Sequence, residues 1–196
     1  ITKSWNPYQL MKTTTDSLHG KLHQLEFSIF IEELSQVVRL TFALSEELPV
    51  FLWNAILENQ SSAPIFVNFI ELLNIGDSAH DLDSKLVRAN ETIKSNFTFH
   101  ANGWQSWSHS GTYRDDQVQH HTRLRFFQDV MVQNPGTPVF RQTGHFSGDF
   151  FGVLADRNSR SAYLFGFLSQ KQQFGSIEAN ISAKTKIRLW ANGDRT

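Results

Sequence analysis

The chain has 196 residues, 40% of them hydrophobic and 19% charged, with a net charge of -1. That balance excludes an intrinsically disordered chain, and with no basic stripe to neutralise phosphates it argues against nucleic-acid binding. The absence of cysteine excludes disulfide staples, thiolate catalysis and cysteine-bound zinc, and it suits a reducing, cytoplasmic compartment.

Period-two alternation dominates the first half. In "KLHQLEFSIFI" Leu25, Phe27, Ile29 and Ile31 fall on one face, and in "QVVRLTFAL" Val38, Leu40, Phe42 and Leu44 do so; these are half-buried strands. "PVFLWNAILEN" and "PIFVNFIELLNI" are more continuously apolar. The prolines at their starts, Pro49 and Pro64, and their β-branched residues favour strands over helices, with "NQSSA" between them as a hairpin loop. "TIKSNFTF" alternates again through Ile93, Ser95, Phe97 and Phe99. From Asn102 to about Pro138 no clean period appears, and a loop that long in a compact β domain is usually functional or disordered.

Further on, "DFFGVLADRNSRSAYLFGFLS" reads as a β-hairpin around "DRNSR", and "KTKIRLWAN" alternates through Ile187, Leu189 and Ala191. Roughly ten to twelve strands at sandwich spacing are expected, in one all-β domain spanning 1–196. The 17 phenylalanines lean the same way. No apolar run reaches membrane-spanning length and no basic-then-apolar leader opens the chain. Starting at Ile1 and stopping at Thr196, it reads as a trimmed piece of something longer. Sequons at Asn59, Asn90, Asn96 and Asn180 decide little, since such tripeptides are common.

Several constellations could carry chemistry. A serine–histidine–acid set can be assembled from Ser106 or Ser108, His109 and Asp115 or Asp116, but no nucleophile elbow accompanies it, and any polar loop holds these residues. His120 and His121 are adjacent and would point to opposite sides of a strand. "HFSGD" puts His145 four residues before Asp149, yet no metal-binding histidine pair is visible. Asp115, Asp116, Asp129 and Asp149 are available as paired carboxylates, which spacing alone cannot assign.

"ANGWQSWSHSG" is the most informative stretch. Trp104 and Trp107 stand three apart among small and polar residues. Flat rings stack on the apolar faces of sugars while nearby amides and hydroxyls bond the sugar hydroxyls; the competing reading tucks both rings under the loop as a local core.

"NGWQSWS", preceded by "TIKSNFTFHA" and followed by "GHFSGDFFGVL" and "RSAYLFGFLS", resembles the N-terminal region of glycoside hydrolase family 36, the α-galactosidase and raffinose-synthase type enzymes. Only the tryptophan core is specific; the flanking patterns are generic. The resemblance implies an antiparallel two-sheet β-supersandwich, like a galactose mutarotase domain, ahead of a catalytic (β/α)8 barrel. It implies no catalytic residue, metal or cofactor in this chain, because the family's aspartates lie on barrel strands and its nucleophile in a lysine–x–aspartate context that is missing here.

As partners the family implies a carbohydrate (an α-galactoside or related sugar) and the barrel, in cis or from a neighbouring subunit of a homo-oligomer. Trp104 and Trp107 match the loop that shapes the sugar pocket, with Asn102, Gln105 and Ser106 orienting it or touching hydroxyls. Other classes remain. A free-standing carbohydrate-binding module would use the same tryptophans, and a mutarotase-like epimerase would need His100, His145 and Asp149 to converge. A structural oligomerisation domain would use the loop as an interface anchor.

Overall fold

The computed structural model describes residues 9–76, 96–122, 124, 126, 134, 136–169, 173–182 and 185–193. They form twelve strands, and every strand pairing is antiparallel, so the fold is all-β. No helix of the described residues is long and apolar enough to cross a membrane. The chain divides into two compact units, Ile1–Phe66 and Val67–Thr196.

The first unit is a four-stranded meander in the order β1 (Gln9–Ser17), β2 (Gly20–Ile31), β3 (Gln36–Ser45) and β4 (Phe51–Asn59). A short 3-10 turn, Glu32–Leu34, followed by Ser35 at φ 50°, reverses the chain between β2 and β3. The alternation in the sequence decides the faces. Register sets Leu25, Phe42 and Trp53 side by side across three strands, and Phe27 beside Leu40 and Ala55. Phe42 stacks on Phe51 and Phe51 on Trp53, at centroid distances of 6.0 and 5.6 Å.

The second unit is a β-sandwich. One sheet has the order β10 (Ser161–Gly166), β9 (Phe151–Asp156), β6 (Phe97–Ala101), β7 (Gly111–Arg114). The other runs β5 (Phe69–Ile75), β12 (Lys186–Gly193), β11 (Gln173–Asn180), β8 (His145–Asp149). Phe99, Leu154, Phe146, Ile177, Ile187 and Leu189 are at most 1% exposed and fill the space between the sheets. Phe146 of one sheet stacks on Phe99 and Tyr113 of the other, at 6.2 and 5.3 Å.

The "DRNSR" hairpin forms as expected: Asp156 pairs with Ser161, and its carboxylate accepts from Asn158 N and Ser159 Oγ. "NQSSA" does not join a hairpin. Asn59 closes a local turn with Ser61 and Ala63, but β5 begins only at Phe69 and pairs with β12, whose own alternation offers it an apolar face. A single residue, Phe150, carries the chain from β8 in one sheet to β9 in the other, and it does so at φ 70°. That conformation costs a non-glycine residue on the order of 1 kcal/mol or more.

Candidate functional site

Residues 102–110 connect β6 to β7 and hold both tryptophans. Polar side chains tie the loop down, as Asn, Ser and Gly commonly do in turns. Gly103 N donates to Ser110 Oγ at 2.9 Å, Gln105 N to Ser108 Oγ at 3.1 Å, and Ser108 N to Gln105 O at 2.9 Å. Gly103 is required here, because a Cβ would lie 2.6 Å from Ser108 Cβ. A second segment, 117–122, supports the loop: His109 N donates to His121 O at 2.9 Å and Thr122 Oγ1 to Trp107 O at 3.2 Å. Tyr113 OH donates to His120 O at 3.0 Å and lies 2.8 Å from His109 Nδ1.

The two tryptophans differ. Trp104 is half-buried and meets Phe174 of β11 edge-on, with centroids 6.1 Å apart and planes at 76°. Trp107 is 40% exposed. Ser106 beside it is exposed and Gln105 half-buried. Asn102 anchors the loop instead of displaying its amide: its Nδ2 donates to Asp149 O and its O accepts from Asp149 N, both at 2.9 Å.

Beneath that anchor lies a buried polar cluster on the outer face of β8, β11 and β12. Asp149 Oδ1 accepts from Asn134 Nδ2 at 2.6 Å and lies 2.7 Å from Thr137 Oγ1. Thr137 Oγ1 reaches Ser176 Oγ at 2.5 Å, which accepts from Asn192 Nδ2 at 2.7 Å. Asp149 is wholly buried, and among the described residues its Oδ2 has no hydrogen-bond partner. Burial therefore pushes its carboxyl up to about 6, although the bonds from Thr137 and Asn134 oppose the rise. Farther along the same face, His145 Nε2 lies 2.7 Å from Glu178 Oε1. Arg188 donates to Glu178 at 3.3 Å and to Glu71 at 2.6 Å. Phe140 stacks on His145 at 3.5 Å and covers this row.

The remaining sequence candidates serve local structure. His109 Nδ1 faces Tyr113, and Asp116 accepts from Arg114 Nε at 3.2 Å. His120 is exposed and His121 buried, and neither lies in a strand. His100 stacks on Phe151 on the outer face of the β10–β9–β6–β7 sheet, on the far side of the sandwich from His145 and Asp149. Asp129 and Asn90 lie outside the described residues. Among the described residues no group of three or more His, Asp or Glu side chains converges as a metal site.

Sequence reading singled out Asp149 but not its partners Asn134, Thr137, Ser176 and Asn192. They are 12 to 43 positions from it in the chain and carry no motif. No protein-family model, no curated protein and no solved structure matches the chain.

Proposed function

We propose that this chain is the non-catalytic N-terminal β-supersandwich domain of an α-galactosidase-like retaining glycoside hydrolase. In this reading the loop 102–110 helps form the sugar-binding mouth of the catalytic barrel, from the same chain or a neighbouring subunit. Trp107 offers a stacking face, Gln105 and Ser106 bond sugar hydroxyls, and Asn102 sets the loop's height through Asp149. The observation that supports it best is an exposed indole on a loop whose main chain is fixed from both sides. An ordered loop spends little conformational entropy when a ligand arrives.

The test is Trp107→Ala in a full-length protein carrying the barrel. Loss of one aromatic stacking contact is worth about 1–3 kcal/mol by analogy with base–aromatic stacking, so kcat/KM should fall roughly 5- to 150-fold while the melting temperature holds. Unchanged kinetics per folded molecule would end the sugar-facing reading. Loss of activity together with subunit dissociation would assign Trp107 to an interface instead. Sugar binding by the present chain alone, with no barrel attached, would favour a self-sufficient carbohydrate-binding module.

A further inference from the structure

The corner at which β8 becomes β9 joins the tryptophan loop to the buried Asp149 carboxyl. Asp149 is the last residue of β8, and its N–H and C=O are both taken by Asn102, the first residue of the loop. The next residue, Phe150, donates its N–H to Gly175 O and accepts from Phe167 N while sitting in the left-handed region. Backbone and loop are thus held at one point.

The two oxygens of that carboxyl are unequally served. Oδ1 accepts from Thr137 Oγ1 at 2.7 Å and from Asn134 Nδ2 at 2.6 Å. Oδ2 is buried and has no hydrogen-bond partner among the described residues. Ionisation would leave charge on that bare, buried oxygen, which is costly, and the neutral acid avoids it.

Among the described residues no charged neighbour relieves this. The charged and titratable groups on the same face are His145 of β8, Glu178 of β11, Arg188 of β12 and Glu71 of β5, and they are bonded to one another. His109 of the loop is turned to Tyr113. None of them contributes to the displaced titration of Asp149, which burial causes.

We propose that Asp149 is a pH-operated latch on the tryptophan loop: the neutral acid holds the corner, and ionisation draws the end of β8 away from Asn102 and loosens residues 102–110. The released proton passes to solvent. The corner is the part that yields, because hydrating Oδ2 requires a path to water and Phe150 gains by leaving its left-handed conformation. The loop's position is read directly in the test below, so the latch stands or fails independently of the sugar reading.

The experiment is an NMR titration of the whole chain from pH 4.5 to 8. It follows the Asp149 carboxyl carbon, the backbone amides of 102–110 and the Trp104 and Trp107 indole resonances. Carboxyl and loop should change together, with a common midpoint near 6, and Asp149→Asn should abolish the loop transition. A carboxyl already ionised at pH 4.5 would overturn the latch, as would one that titrates near 6 while the loop resonances stay still. A loop transition persisting in Asp149→Asn would belong to a histidine and overturn it equally. Should that variant not fold, the two wild-type midpoints alone decide.

Discussion

Trp104 meets Phe174 edge to face, so one of the two loop tryptophans is packed onto the sandwich while the other, Trp107, is 40% exposed. The pair that looked equivalent in "NGWQSWS" is therefore divided between holding the loop in place and presenting a surface. Aromatic pairs in this geometry gain on the order of 1 kcal/mol beyond their buried area.

That division predicts opposite phenotypes. Trp104→Ala should lower stability by about 1–3 kcal/mol, less than for a fully buried ring because Trp104 is only half-buried. Trp107→Ala should cost less than about 1 kcal/mol. Denaturant unfolding of both variants checks the order, and a larger loss for Trp107 would mean that its ring, not that of Trp104, anchors the loop.

The sandwich interior predicts a second effect. A Cβ at Gly152 would lie 2.5 Å from Phe99 Cζ, and Phe99 is wholly buried and stacked on Phe146. Phe99 cannot move without displacing that partner across the sheets. Gly152→Ala should therefore destabilise by about 1–3 kcal/mol through overpacking, even though alanine suits a strand better than glycine does. An unchanged or raised unfolding midpoint would count against the packing seen here.

Glu178 carries a third prediction. Its side chain is 8% exposed and serves both His145 and Arg188. Glu178→Ala strands a hydrogen-bonding group on each, one of them beneath Phe140. A loss of about 2–3 kcal/mol is expected, discounted from the fully buried case because Arg188 retains Glu71 and partial access to water. Glu58→Ala, which breaks the exposed pair with Arg39, should barely move the melting temperature. Equal effects at the two sites would mean that the covered row is as solvated as the surface pair.

The strands β2, β3, β6 and β12 were readable from their alternation and the β9–β10 turn from its Asp-Arg-Asn-Ser run. The buried face follows the alternation in β6 and β12, but in β3 Leu44, expected inside, is 55% exposed while Ala43 on the other face is buried; Ile93 and Ser95 lie outside the described residues. β11 escaped for a physical reason. Both its faces are buried, one by Gly175, Ile177 and Ala179 and the other as Ser176 and Glu178, so polar residues stand where solvent was assumed. β1 escaped because its run of threonines has no apolar face to mark it. The tryptophan loop was conspicuous because large rings in a polar run are unusual. Its dependence on Asp149 was not, since Asn102 Nδ2 and O meet the main-chain O and N of Asp149 across 47 positions, and a backbone partner leaves no mark on composition.

The buried carboxyl makes stability itself pH-dependent. Asp149 has an ordinary value of 3.8 and is pushed up to about 6 in the fold. Between those values the folded state binds more protons than the unfolded chain, so stability falls as pH rises. Its contribution is fully present below about pH 4, is lost progressively through pH 6 and is flat above that. A rise of about two pH units corresponds to roughly 3 kcal/mol, at about 1.4 kcal/mol per unit. Asp149→Asn removes the titration while keeping a neutral side chain of the same shape, at a cost of about 1 kcal/mol for re-pairing the position that accepts from Thr137 and Asn134. The variant should then be less stable than wild type near pH 4 and more stable near pH 8, the two curves crossing between. Urea unfolding at those two pH values tests this. If Asp149→Asn is destabilised by the same amount at both, the carboxyl titrates in the fold as it does in the unfolded chain, and burial does not hold it neutral.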